Sequence, residues 1–104
     1  MTDILGILVS SDQHLDDIVN LTEAAFSMDK EVRIFFSGKG VYLALEPEFK
    51  RLEGKAKLSV CDVSFRAYGF HGREEEVPGV GFKDFATQAR HAEMIHQVDR
   101  YLVF

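Results

Sequence analysis

Apolar residues along this chain follow two alternating patterns. Residues 4–9 form a continuous apolar run, and residues 31–37 contain a shorter one at 34–36. Such runs are typical of strands that are buried on both faces of a sheet. Between them, residues 12–28 place apolar side chains every three or four positions, which predicts an amphipathic helix. The two periods indicate a strand, a helix and a second strand in succession.

The rest of the chain continues this alternation. We expect helical turns at 41–45 and 48–53, a strand at 55–60, a short helix at 62–68, a loop at 71–79, a strand at 80–82, a helix at 83–97 and a strand at 100–104. Strands that alternate with helices predict a parallel sheet. We therefore expect one domain over residues 1–104, with a small three-layer flavodoxin-like α/β fold and a mostly parallel five-stranded sheet. That fold would place the first strand between the second and the third.

The last predicted helix has apolar residues on two opposite sides. One side carries Phe82, Phe85, Ala86, Ala89 and Ala92, and the other carries Met94, Ile95 and Val98. Either the helix ends early or bends, or its second apolar side contacts another subunit. We expect a homo-oligomer that uses this side, with His96 facing the sheet.

Composition and charge argue against several classes of function. The 104 residues are 46% hydrophobic, carry a net charge of −5 and contain one cysteine. An acidic chain without a local run of Lys and Arg argues against nucleic-acid binding. One cysteine excludes an internal disulfide or a multi-cysteine zinc site, and the four histidines lack ligand spacing, so we expect no metal. The apolar runs are too short for a membrane span, so we expect a cytoplasmic protein.

Candidate chemistry collects where the predicted strands end. Ligands of open parallel sheets bind beyond the carboxyl ends of the strands, and Ser10 and Ser11, Lys39 and Cys61 all follow such ends. If the first and third strands are neighbours, Ser10 and Ser11 lie beside Cys61. This edge is the candidate site.

Cys61 has two interpretations. It precedes a predicted helix, whose first amides would stabilise a thiolate and lower the thiol pKa. Asp62 would oppose this effect by its negative charge, while Arg66 and His71 are close enough in sequence to offset it. Free cysteine is, however, among the most buried residue types, and position alone favours a packed thiol.

The segment Gly38-Lys39-Gly40 offers a second candidate site. Its amides follow a strand and could hold an anion or a nucleotide. The segment does not match the phosphate-binding or dinucleotide-binding glycine motifs, so a tight turn is the simpler interpretation.

Several segments together resemble the DsrE/DsrF-like family of small sulfur-relay proteins, which includes TusD-type subunits. They are LTEAA at 21–25, KEVRIFFSGKGVYLAL at 30–45, SVCDVSFRAYG at 59–69 and DRYLVF at 99–104. Each motif is loose, whereas their order and spacing cover nearly the whole chain.

The resemblance implies a specific chemistry. Family members with a cysteine at this place carry sulfane sulfur as a persulfide and pass it on, often to a TusA-like carrier, so Cys61 would act as a sulfurtransferase thiol without cofactor or metal. The family also forms homotrimers and hexamers, which agrees with the second apolar side of the last helix. The alternatives are a non-catalytic DsrE-like subunit or a small anion-binding module in which Cys61 is structural.

Overall fold

The computed structural model describes residues 3–104. Its strands and α-helices are β1 (Ile4–Val9), α1 (Leu15–Ser27), β2 (Glu31–Phe36), β3 (Lys57–Cys61), α2 (Asp62–Ala67), β4 (Phe85–Ala86), α3 (Gln88–Gln97) and β5 (Arg100–Val103). Short 3₁₀ helices cover Gly38–Leu45, Pro47–Leu52, Glu74–Glu76 and Phe82–Asp84. Within residues 3–104, no helix is long and apolar enough to cross a membrane.

The five strands form one sheet in the order β4-β3-β2-β1-β5, and every pairing is parallel. The prediction of a three-layer flavodoxin-like α/β fold is confirmed. The predicted strand order is wrong, because β1 lies between β2 and β5 rather than between β2 and β3. The chain adds β2, β3 and β4 on one side of β1 and then returns through α3 to place β5 on the other side.

This route makes the two faces of the sheet unequal. The connections from β1 to β2, β3 and β4 all run in one direction across the sheet. Because such crossovers are right-handed, α1, the 3₁₀ helices at 38–52 and α2 lie on one face. The connection from β4 to β5 runs in the opposite direction and therefore puts α3 on the other face. The first face holds the main core, built around Ile7, Ile34, Phe36, Phe49 and Phe65. The second face holds a small cluster of buried residues, Phe35, Cys61 and Met94. The cysteine therefore belongs to the thinner layer.

Helix α1 forms where the spacing predicts it. Its buried residues are Leu15, Ile18, Val19, Thr22 and Ala25, which lie on one stripe facing the sheet. Asp16 and Asp17 occupy its first turn, where negative charge is favourable near the free amides of the helix start.

The last third of the chain differs from the prediction. Helix α3 begins at Gln88 rather than residue 83, because Thr87 caps it with a side-chain oxygen that accepts from the Ala89 amide at 3.3 Å. The fourth strand is Phe85–Ala86 rather than 80–82. Several of the apolar residues assigned to one helix side therefore precede the helix, which begins late and ends at Gln97 as predicted rather than ending early.

Two predicted positions on α3 are also wrong. Met94 is 6% exposed and packs beneath the helix, so it cannot form a subunit contact. His96 is exposed rather than facing the sheet. The histidine of α3 that faces the sheet is His91, which stacks on Phe35 with ring centroids 5.6 Å apart. Ile95 remains exposed.

Candidate functional site

Cys61 is the last residue of β3 and directly precedes α2. Side chains alternate between the two faces of a strand, so Lys57, Ser59 and Cys61 face α3. The thiol is 3% exposed and packs with Phe35 and Met94. A strand end that meets a helix start thus holds the sulfur at the carboxyl edge of the sheet, under the thinner layer.

Polar groups surround the sulfur on the side away from these apolar contacts. The Gln88 side-chain amide donates to Cys61 Sγ at 3.6 Å and to Ser37 Oγ at 3.0 Å. At the start of α2, the Ser64 hydroxyl and the backbone amides of Val63 and Ser64 also favour the charged form of the sulfur. Ser64 Oγ is held in turn by the Gly38 amide at 2.9 Å. The donors come from α2 and from α3.

These donors decide the protonation of the thiol. Burial raises the pKa of Cys61, but the bonds from Ser64, Gln88 and Val63 outweigh it, and the net pKa lies below the ordinary thiol value. Hydrogen bonds to the charged form favour that form. The arrangement can therefore hold a sulfur anion in a nearly dry pocket.

Asp62 does not face the sulfur in this arrangement. Its carboxylate lies 2.9 Å from Arg66 Nε, four residues along α2. Arg66 thus offsets the acidic neighbour by pairing with it rather than by contacting the thiol.

His71 lies outside the site. Its Nδ1 is 3.2 Å from a Glu74 carboxylate oxygen in the exposed turn after α2. The prediction that it offsets Asp62 finds no contact in the described structure, since Arg66 already pairs with that carboxylate.

Ser10 and Ser11 are not on the strand next to Cys61, because β2 separates β1 from β3. The Ser10 amide donates to the Phe104 carbonyl at 2.9 Å, toward β5. Ser11 Oγ is buried without a hydrogen-bond partner among residues 3–104. The expectation that these serines lie beside the thiol is wrong, for the same reason that the strand order is wrong.

The Gly38-Lys39-Gly40 segment has structural reasons for its glycines. Gly38 has φ +54, which favours glycine. A Cβ on Gly40 would clash with the Val9 carbonyl, whose carbon would be only 2.8 Å away. The amides of Gly38 and Gly40 already donate to Ser64 and Ser37, and Lys39 is exposed. These bonds leave the segment poorly suited to hold an anion.

Three site residues escaped the sequence analysis: Ser37, Ser64 and Gln88. Ser64 had a detectable signal, because the third residue of a helix faces the residue that caps it. Gln88 contacts the thiol, and Ser37 contacts Gln88, only because separate strands and helices pack together. Within residues 3–104, no group of His, Cys, Asp and Glu could hold a metal ion.

Comparison with known proteins gives one match. The model of the DsrE/DsrF-like family matches residues 3–104. No curated protein and no solved structure matches the chain.

Proposed function

The chain belongs to the DsrE/DsrF-like family, and from that premise we propose that it is a sulfur carrier, in which Cys61 accepts sulfane sulfur as a persulfide and passes it to a partner protein. The family is associated with sulfur relay. The observation that supports the proposal most is the place of Cys61 at the start of α2, where the Gln88 amide donates to its sulfur at 3.6 Å. The groups of Ser64, Gln88 and Val63 lower the thiol pKa despite burial.

Loading follows thiolate chemistry. The Cys61 thiolate attacks the terminal sulfur of a donor persulfide, R–S–SH, and a new sulfur–sulfur bond forms. The sulfur–sulfur bond of the donor breaks, and its electron pair leaves on the donor thiolate R–S⁻. The products are the Cys61 persulfide and R–S⁻, so charge balances and no external oxidant is needed. A lowered pKa increases the fraction of the thiol that is present as the attacking thiolate.

Release reverses the roles. An acceptor thiolate attacks the terminal sulfur of the Cys61 persulfide, and Cys61 leaves as the thiolate that its donors stabilise. A thiol of lower pKa is also the better leaving group. A TusA-like carrier is the acceptor that we propose.

Access to the sulfur requires a side-chain movement. Gln88 bonds both Ser37 and Cys61 from the start of α3, and Gln88 is itself exposed. Rotation of this side chain uncovers the sulfur without moving the sheet. In the proposal, the partner docks at the carboxyl edge and displaces Gln88.

We also propose a homo-oligomer, trimer or hexamer, that uses the outer side of α3. Ile95 is 45% exposed there, whereas Met94 contributes to the core instead. Light scattering at working concentration tests the proposal, and a monomer mass contradicts it.

A second candidate function rests on the burial of the thiol. At 3% exposure, Cys61 also fits a packing role in a non-catalytic DsrE-like subunit. The two functions differ in whether the native protein's thiol reacts.

Intact-protein mass spectrometry separates these candidates. After incubation with a sulfane-sulfur donor, a carrier gains about 32 Da, the mass of one sulfur added to a thiolate. Cys61→Ser removes the adduct, whereas Ser59→Ala, a substitution on the same strand face, retains it. No adduct with any donor, together with a thiol that alkylates only after unfolding, would establish the packing role.

A further inference from the structure

A cavity of about 470 Å³ lies on the α3 face of the sheet, between α3 and strands β2 and β3. It forms because α3 is a single helix of ten residues, and one helix cannot cover the whole width of a five-stranded sheet. The volume falls within the range of about 300–1,000 Å³ that is typical of small-molecule sites.

Four cationic side chains line this cavity although the chain as a whole is acidic. Arg33 on β2 is in register with Lys57 on β3, so the two side chains lie next to each other. Arg90 on α3 donates to Ser59 Oγ at 3.3 Å, and Lys83 joins from the segment before β4. The four residues come together only in the fold. The sequence has no basic run, and this basic site is therefore not apparent from the sequence.

The local carboxylates neutralise only part of this charge. Glu31 lies 2.6 Å from Arg33 Nε and 3.8 Å from Lys57 Nζ. Asp84 lies 3.0 Å from Arg90 Nη1. Two carboxylates against four cations leave an excess of two positive charges, and this excess rests on the two lysines because each arginine has a close carboxylate partner.

One wall of the cavity is apolar. Ala56 and Met94 line it, and Phe35 borders it with a side chain that is fully buried. Phe35 and Met94 also pack against Cys61, so the cavity ends one layer of side chains away from the thiol. A ligand that fills this space needs both negative charge and an apolar body.

We propose that this cavity binds a small organic dianion, a phosphate monoester or a dicarboxylate, with its charge at Lys57 and Lys83 and its apolar body against Ala56 and Met94. The inference does not depend on sulfur transfer, because it uses none of the groups that bond Cys61.

Calorimetric titration of the full chain tests the proposal with defined probes. Phenyl phosphate and phthalate represent the two ligand sources, and whichever binds tighter identifies the class. Inorganic phosphate carries the negative charge without an apolar group, and benzyl alcohol carries the apolar group without a charge. We expect saturable binding of an aromatic dianion at low ionic strength, weaker binding of phosphate, none of benzyl alcohol, and a loss of affinity as salt increases.

Matched lysine variants locate the binding. Lys57→Gln and Lys83→Gln should each weaken the dianion about tenfold, as expected for loss of a charge-assisted contact. Both changes leave the fold intact because both side chains are exposed. Lys50→Gln makes the same charge change outside the cavity and should have little effect, and Cys61→Ser should bind normally. No saturable binding of either dianion, or equal affinity in the cavity variants and Lys50→Gln, overturns the proposal.

Discussion

Replacing Ser64 by alanine removes one donor from the Cys61 sulfur and leaves the rest of the pocket in place. Among the groups that lower the pKa of Cys61, the Ser64 hydroxyl has the largest effect. Its oxygen also accepts from the Gly38 amide at 2.9 Å, so the substitution costs about 1 kcal/mol of stability. That cost is small against the roughly 5–15 kcal/mol that stabilises a typical domain, and the variant should remain folded.

The effect on reactivity has two opposing parts. A hydrogen bond to a charged group contributes about 1.5 kcal/mol, so its loss lowers the thiolate-to-thiol ratio about tenfold. The more basic thiolate is also a better nucleophile, by about threefold for a Brønsted coefficient of 0.4–0.5. Ser64→Ala should therefore react about threefold more slowly with a disulfide below its pKa and about threefold faster at the alkaline plateau.

Reaction with a dipyridyl disulfide, followed by absorbance across the pH range, measures both parts. The profiles of wild type and Ser64→Ala should cross. Ser59→Ala is the matched control, because Ser59 lies on the same face of β3 and accepts from Arg90 rather than bonding the sulfur. Coincident profiles would refute the reasoning, since they would mean that the thiol reacts only after local unfolding, beyond the reach of Ser64.

Two further predictions follow from the contacts described above. Asp62→Asn should leave the pH profile of the Cys61 reaction nearly unchanged, because Arg66 already pairs with this carboxylate; a large shift to lower pH would show that Asp62 acts on the thiol directly. Gly40→Ala should lower the free energy of unfolding in urea by about 3 kcal/mol, the upper part of the range for overpacking, because its Cβ would meet the Val9 backbone. Gly81→Ala, where a Cβ meets nothing within 4 Å, is the control, and equal effects of the two would contradict the clash.

The sequence correctly predicted those elements whose own residues determine their secondary structure. Strand β1 is a continuous apolar run, β2 contains one at 34–36, and α1 has a complete apolar stripe, so the local pattern was sufficient. Strand order is not local, because any parallel order satisfies the same apolar runs. The apolar spacing predicts the start of the last helix too early, because Phe82 and Phe85 fit the spacing although the helix is capped by Thr87.

The same distinction applies to the candidate site. Cys61 was predictable because it ends one strand and begins one helix, and Ser64 could have been found from the spacing of a helix start. Gln88 is 27 residues from Cys61, and its contact depends on how α3 crosses the sheet. The cationic cavity combines residues from β2, β3, α3 and the Lys83 segment, which no sequence window contains together.

The uneven covering of the sheet explains why both candidate sites lie on one face. The face under α1 and α2 buries the large aromatic and aliphatic core, including Phe36 and Phe49. The face under α3 buries a small cluster that includes Phe35 and Met94. Because α3 covers only part of this face, polar side chains remain on it. The face can therefore hold an anionic sulfur at its edge and a cavity at its centre. Substitutions of Phe36 or Phe49 should therefore act mainly on stability. Reductions of Phe35 or Met94 should instead alter the thiol and the cavity together.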